Sequence, residues 1–192
     1  AVNISDYFYG AKTLFIIPLY QRKYAWQQKH CVRLFEDLKK IHTEGLLSHF
    51  FGSIVAIKAS EVEDDLLIID GQQRITTISL LILAAINAVA NGDMETGDED
   101  IEEVKKNYLY AIRRRIDRNI KLRPIEGDME AYDALFTNNS ENFIKNTGIT
   151  SNYELFYELI KVSGLTFQNL IAAIEKLEII DTVSYTHLTL PT

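Results

Sequence analysis

At 192 residues, the chain is sized for one domain, or for one domain with an appended part. Its composition, 47% hydrophobic and 24% charged, is ordinary for a globular core. The net charge of −7 argues against a protein that coats nucleic acid over its whole surface, while leaving room for a local basic patch. One cysteine, Cys31, permits no internal disulfide and points to a reducing, cytoplasmic setting. The four histidines form no HExxH pattern and have no partner cysteines, so no metal site is predicted. Neither a G-x-S-x-G elbow nor a P-loop occurs.

The chain begins AVNISDYF, without Met, and ends VSYTHLTLPT, which breaks the preceding pattern. That ending resembles translated sequencing-adapter read-through. Residues 184–192 are therefore set aside as a non-native tail, and the chain is read as a fragment truncated at its C-terminus.

Residues 14–18, LFIIP, predict a short strand stopped by Pro18. The following LYQRKYAW is a loop dense in aromatic and basic groups. From Gln27 to Ile41 the residues Cys31, Leu34, Phe35, Leu38 and Ile41 recur at helical spacing, which predicts an amphipathic helix with Cys31 as a small core residue. Residues 50–58, FFGSIVAIK, predict a strand in which Gly52 marks a bulge or a close approach. An acidic turn, EVEDD, leads to the apolar strand 66–69, and a hairpin is the simplest connection between the two.

From Gln72 a long apolar run predicts a helix, and its Thr76, Thr77, Ser79 and Asn87 favour a buried core helix over a membrane span. Beyond an acidic loop, Val104, Tyr108, Ile112, Ile116 and Ile120 predict one helix by their spacing of four. Its other face carries Arg113, Arg114 and Arg118 and reads either as a solvated face or as a nucleic-acid surface. Residues 121–136 predict an extended piece and a helix capped by Asp128. Helices at about 151–162 and 166–177, the second capped by Thr166, and a strand start at Glu178–Val183 complete the order. The class is α+β: a small mixed-sheet core over residues 1–92 and a mostly helical extension of the same domain over 93–183.

Asp70-Gly71-Gln72-Gln73-Arg74 lies where the apolar strand passes into the long helix. A helix start presents unpaired N–H groups and the positive end of the dipole to anions. Gly71 allows close approach of a ligand, and Arg74 could clamp a phosphate. Equally, Asp70 could cap the helix while Arg74 pairs with a surface acid.

Three segments in this order, IIPLYQRKYAW (16–26), HFFGSIVAI (49–57) and IIDGQQRITTISLLIL (68–83), resemble the N-terminal domain of GmrSD-type, modification-dependent restriction endonucleases of the ParB/sulfiredoxin-like superfamily. The later KLRPIEGDMEAYDALF resembles the same family, so the likeness spans about residues 4–183. It implies that the YQR loop and the DGQQR turn face one NTP pocket, with GTP, UTP or CTP undistinguished and Mg²⁺ as counter-ion. It implies regulatory NTP hydrolysis, with cutting of modified DNA left to an HNH-type nuclease domain or subunit that this chain lacks.

By that resemblance Asp70, Gln72, Gln73 and Arg74 are the candidate catalytic residues. Gln21, Arg22, Gly71, Arg74, Thr76 and Thr77 would bind nucleotide phosphates, and Tyr24 or Trp26 would stack on the base. The family's Phe-Glu…Asn-Ser-x-Gly continuation is missing at the tail, which implies weak binding and no hydrolysis if that segment completes the pocket. Sulfiredoxin-type thiol chemistry is not expected, since the turn holds no cysteine and Cys31 lies on an apolar helix face. The rival reading is a non-catalytic module that grips DNA through Arg113, Arg114 and Arg118 and controls a nuclease.

Overall fold

The computed structural model describes residues 1–185. Among them the elements run β1 (Val2–Asn3), α1 (Ile4–Phe8), β2 (Leu14–Ile16), α2 (Gln28–Glu44), β3 (His49–Lys58), β4 (Asp65–Asp70), α3 (Gln72–Ala90) and α4 (Ile101–Val104). Then follow β5 (Leu122–Arg123), α5 (Glu126–Leu135), α6 (Gly148–Ser163), α7 (Phe167–Ile174) and β6 (Leu177–Tyr185). The strands form one mixed sheet in the order β1-β6-β3-β4-β2-β5. The α+β class is as expected.

Period-two alternation sets the sheet's inner face. Ile54 and Ala56 of β3 are fully buried while Val55 and Ile57, which alternate with them, are half-exposed, so one face of the strand meets the core. Ile68 of β4 and Phe15 of β2 join the same cluster. Over it lies α3, buried almost all the way round and packed against α6 and α7. α3 is long and apolar enough to cross a membrane, yet most of it is enclosed by the protein, the setting of a core helix. Its Ser79 hydroxyl is satisfied one turn back, donating to the Ile75 carbonyl at 2.9 Å.

The expected hairpin forms between β3 and β4, and a register shift between Phe50 and Gly52 marks the bulge read from Gly52. Thr166 caps α7 by accepting from the Asn169 N–H. Of the residues set aside at the C-terminus, Ser184 and Tyr185 pair with Ile57 and Lys58 as part of β6. The rest of that stretch, 186–192, lies outside the described residues.

Two expectations are corrected. No single helix spans 104–120: α4 runs into one π-helical turn, Lys105–Leu109, and ends. Tyr110 then becomes extended and bridges Ile120, while the Ile112 N–H donates to the Ala11 carbonyl. Ile112, which a helical stripe would bury, is 57% exposed. Tertiary anchors override the spacing here. Lys121 is buried with its ammonium donating to the carbonyls of Phe8, Gly10 and Asn107, and that contact draws the segment back onto the core. The second correction concerns Asp128, which does not cap α5. The cap is Ile125, and Asp128 lies inside the first turn.

Candidate functional site

β2 and β4 are parallel neighbours, Leu14 opposite Asp65 and Ile16 opposite Leu67, so the loops that follow them leave the same edge of the sheet. Ligands of open α/β sheets gather beyond such carboxyl ends. Antiparallel β3 begins at that edge, which brings Phe50–Ser53 beside both loops. Segments distant in sequence meet here because of strand direction.

At the end of β4, Gly71 adopts φ 91° and caps α3 without any side-chain cap. A Cβ there would stand 2.8 Å from the Ser53 carbonyl oxygen, so glycine alone makes this turn. Asp70 neither caps the helix nor pairs with a described residue; its carboxylate is exposed. Arg74 does not pair with an acid either. Its Nε donates to the Phe51 carbonyl at 3.0 Å and its Nη1 to the Ser53 carbonyl at 3.4 Å. The guanidinium packs against Gly52 (φ 130°), where a Cβ would meet Nε at 2.3 Å. The bulge carbonyls therefore hold Arg74 in place and leave its Nη2 unused.

The loop after β2 is stitched to the turn by amides. Gln21 Nε2 donates to the Ile69 carbonyl at 2.9 Å, and Gln21 Oε1 accepts from Gln72 Nε2 at 3.2 Å. Gln73 Oε1 accepts from the Ala25 N–H at 2.8 Å while its Nε2 donates to the Lys23 carbonyl. Gln73 is thus a staple, with both ends of its amide engaged, whereas Gln72 keeps a free carbonyl oxygen. The Asp128 carboxylate accepts from the Tyr24 N–H at 2.7 Å, and burial raises its pKa above the usual carboxylate value.

A cavity of about 270 Å³ lies between these segments, lined by Gln21, Arg22 and Trp26 of the loop and by Asp70–Arg74 of the turn. Arg22 is exposed and has no partner among the described residues. Two guanidiniums and the first-turn N–H groups of α3 thus face one carboxylate in a chain that is acidic overall.

Some candidate residues fall elsewhere. Thr76 and Thr77 are buried on the core side of α3, and the Thr77 hydroxyl is taken by the Gln73 carbonyl and the Tyr24 hydroxyl, each at 2.7 Å. Neither threonine lines the cavity. Tyr24 packs under the loop, where its hydroxyl also accepts from Asn152 Nδ2 at 3.0 Å and burial pushes its pKa upward. Tyr24 does not line the cavity, whereas Trp26 does.

Arg113 and Arg118 are committed inside the protein. Arg113 donates to the Lys12 carbonyl and to Asp65, with Glu63 nearby, and Arg118 makes a two-pronged contact with Asp133. Arg114 lies exposed at a different cavity, which shares no residue with the one at Arg22 and Arg74. No group of three or more metal-binding side chains occurs among the described residues. Asn152 of α6 went unnoticed in the sequence. Its Nδ2 also donates to the Trp26 carbonyl at 2.8 Å, tying the loop to the helical half, and a lone asparagine in a helical pattern carries no signal of that.

A mixed sheet with a loop and a helix start converging on a polar cavity at its edge defines a small α+β module. Comparison with family models matches residues 4–190 to the GmrSD restriction endonuclease N-terminal domain. The chain belongs to that family, and is a module of a restriction system. Comparison with curated proteins gives no match.

Proposed function

We propose that the cavity between the PLYQR loop and the DGQQR turn binds the triphosphate of a nucleoside triphosphate, and that the domain hydrolyses it to control cleavage of modified DNA by a nuclease partner. One observation carries this reading: Arg22 and Arg74 flank the start of α3 in one cavity, Arg74 being fixed there by the Phe51 and Ser53 carbonyls. A cation held before the ligand arrives needs no reordering to accept phosphate oxygens.

Each residue then has a role. The N–H groups after Gly71 and the two guanidiniums take phosphate oxygens. The Gln72 carbonyl orients a water for in-line attack on the γ-phosphorus; the bond to the β-phosphate oxygen breaks, the water's proton passes to a γ-phosphate oxygen, and nucleoside diphosphate and inorganic phosphate leave. Gln21 and Gln73 hold the loop against the turn. Exposed Asp70 fits Mg²⁺, which is commonly held by one or two carboxylates plus the substrate's own phosphates, and there the ion would neutralise phosphate charge. DNA binding through Arg113, Arg114 and Arg118 has less support, since two of the three are paired within the fold.

The test is calorimetric titration with GTP, UTP, CTP and ATP in Mg²⁺, followed by an assay of phosphate release. Saturable binding is expected for the wild type, with release lost in Asp70→Asn and Gln72→Ala. A folded sample that binds none of the four nucleotides contradicts the reading.

A further inference from the structure

The cavity at the DGQQR turn is small. Its volume of about 270 Å³ falls under the roughly 300–1,000 Å³ usual for small-molecule sites. It has room for a polyphosphate, and the rest of a nucleotide must lie outside it. Trp26 and Arg74 are walls of this cavity and also of a second cleft, of about 500 Å³, on the side of α2 and β3. Taken together, the two fall within the usual range.

The second cleft differs in chemistry from the first. Phe50 is 62% exposed at its wall, beside Trp26 and Phe51, whose rings meet edge to face at 6.2 Å. An exposed phenylalanine in a strand is ordinarily a liability, and Phe50 stands beside the bulge between Phe50 and Gly52. Arg33 of α2 lies in the same wall. His30 accepts from the Gln27 N–H through Nδ1, so in its neutral form the proton sits on Nε2. On the far side His49 Nε2 lies 3.3 Å from Asp37. Aromatic faces beside ring and guanidinium donors suit a flat, polar-edged ring.

We propose that this cleft is the nucleoside subsite: the base stacks on Phe50 and Trp26 with Arg33 at its edge, while the triphosphate passes Arg74 into the smaller cavity. This rests on the nucleotide reading of that smaller cavity. Trp26 and Arg74 then serve both halves of one ligand.

The experiment compares Mg²⁺-tripolyphosphate, which has no base, with GTP, UTP, CTP and ATP on wild type, Phe50→Ala and Arg33→Ala. Both side chains are exposed, so neither change opens the core. In the wild type at least one nucleotide is expected to bind about 5–150-fold more tightly than tripolyphosphate, the range of one base–aromatic stack. Phe50→Ala should shrink that advantage while leaving tripolyphosphate affinity unchanged. Equal affinities for tripolyphosphate and all nucleotides, or an advantage untouched in both variants, would overturn the nucleoside subsite and leave the phosphate site standing. Absence of binding by every ligand to folded wild type would overturn both.

Discussion

Arg74 is the residue on which the site's chemistry turns, because its fork is oriented before any ligand arrives. Two of its N–H groups are spent on the carbonyls of a strand bulge, and the residue lines the cavity. Arg74→Ala is expected to weaken nucleotide binding by about 1.5–3 kcal/mol, the worth of a charge-assisted hydrogen bond, read by calorimetry. Arg74→Lys should not restore it, since an ammonium cannot hold two carbonyls and a phosphate in one plane. Arg22→Lys, at an exposed position with no fixed partner, should retain most of the affinity. Gly52→Ala tests the same point from the other side. Its Cβ would collide with Arg74 Nε, so the guanidinium must shift and binding should fall as in Arg74→Ala. Affinity unchanged in Gly52→Ala would show that the carbonyl clamp is irrelevant.

Among the elements, those with strong local patterns were legible from sequence: α2 from its stripe, β3 and β4 from their apolar runs, α3 from its length. The DGQQR turn was legible as the junction of strand and helix, although its neighbours were not, because Arg74's partners are backbone carbonyls of another strand. The segment after α4 misled for a physical reason. Its spacing of four is helical, but the contacts of Lys121, Arg113 and Arg118 outweigh a weak preference of the chain. Thr76 and Thr77 were candidates through the resemblance, whereas helical geometry turns them to the core. Asn152 illustrates how the helical half supports the site. Asn152→Ala leaves the Trp26 carbonyl and the Tyr24 hydroxyl short of a donor, which should cost about 1–3 kcal/mol. Thermal unfolding should show Tm lower by roughly 2–12 °C, with nucleotide affinity reduced as the loop loosens. A fall in Tm without change in affinity would mean that the α6 contact is structural only.

Over the whole molecule, the helical half and the sheet share one hydrophobic core, and α3 packs against α6 and α7 within it. The burial of Lys121 in that fold is measurable. Burial lowers its pKa from 10.5 to about 8, so between those values the folded protein has shed a proton that the unfolded chain still binds. Stability contributed through this group therefore rises with pH from 8 to 10.5, by up to about 3 kcal/mol. The difference in unfolding free energy between wild type and Lys121→Met should follow that rise in denaturant titrations; a flat difference would show that Lys121 titrates normally. The central claim is one of place, a nucleotide held at the sheet edge where the two motif loops meet. Amide NMR of the ¹⁵N-labelled domain during nucleotide titration tests it most directly. Shifts should concentrate at residues 20–26 and 70–74, with the side-chain amides of Gln21 and Gln72 among them, and extend to Arg33 and Phe50 where the base lies. Shifts confined to residues 110–118, or none at saturating nucleotide, would contradict it.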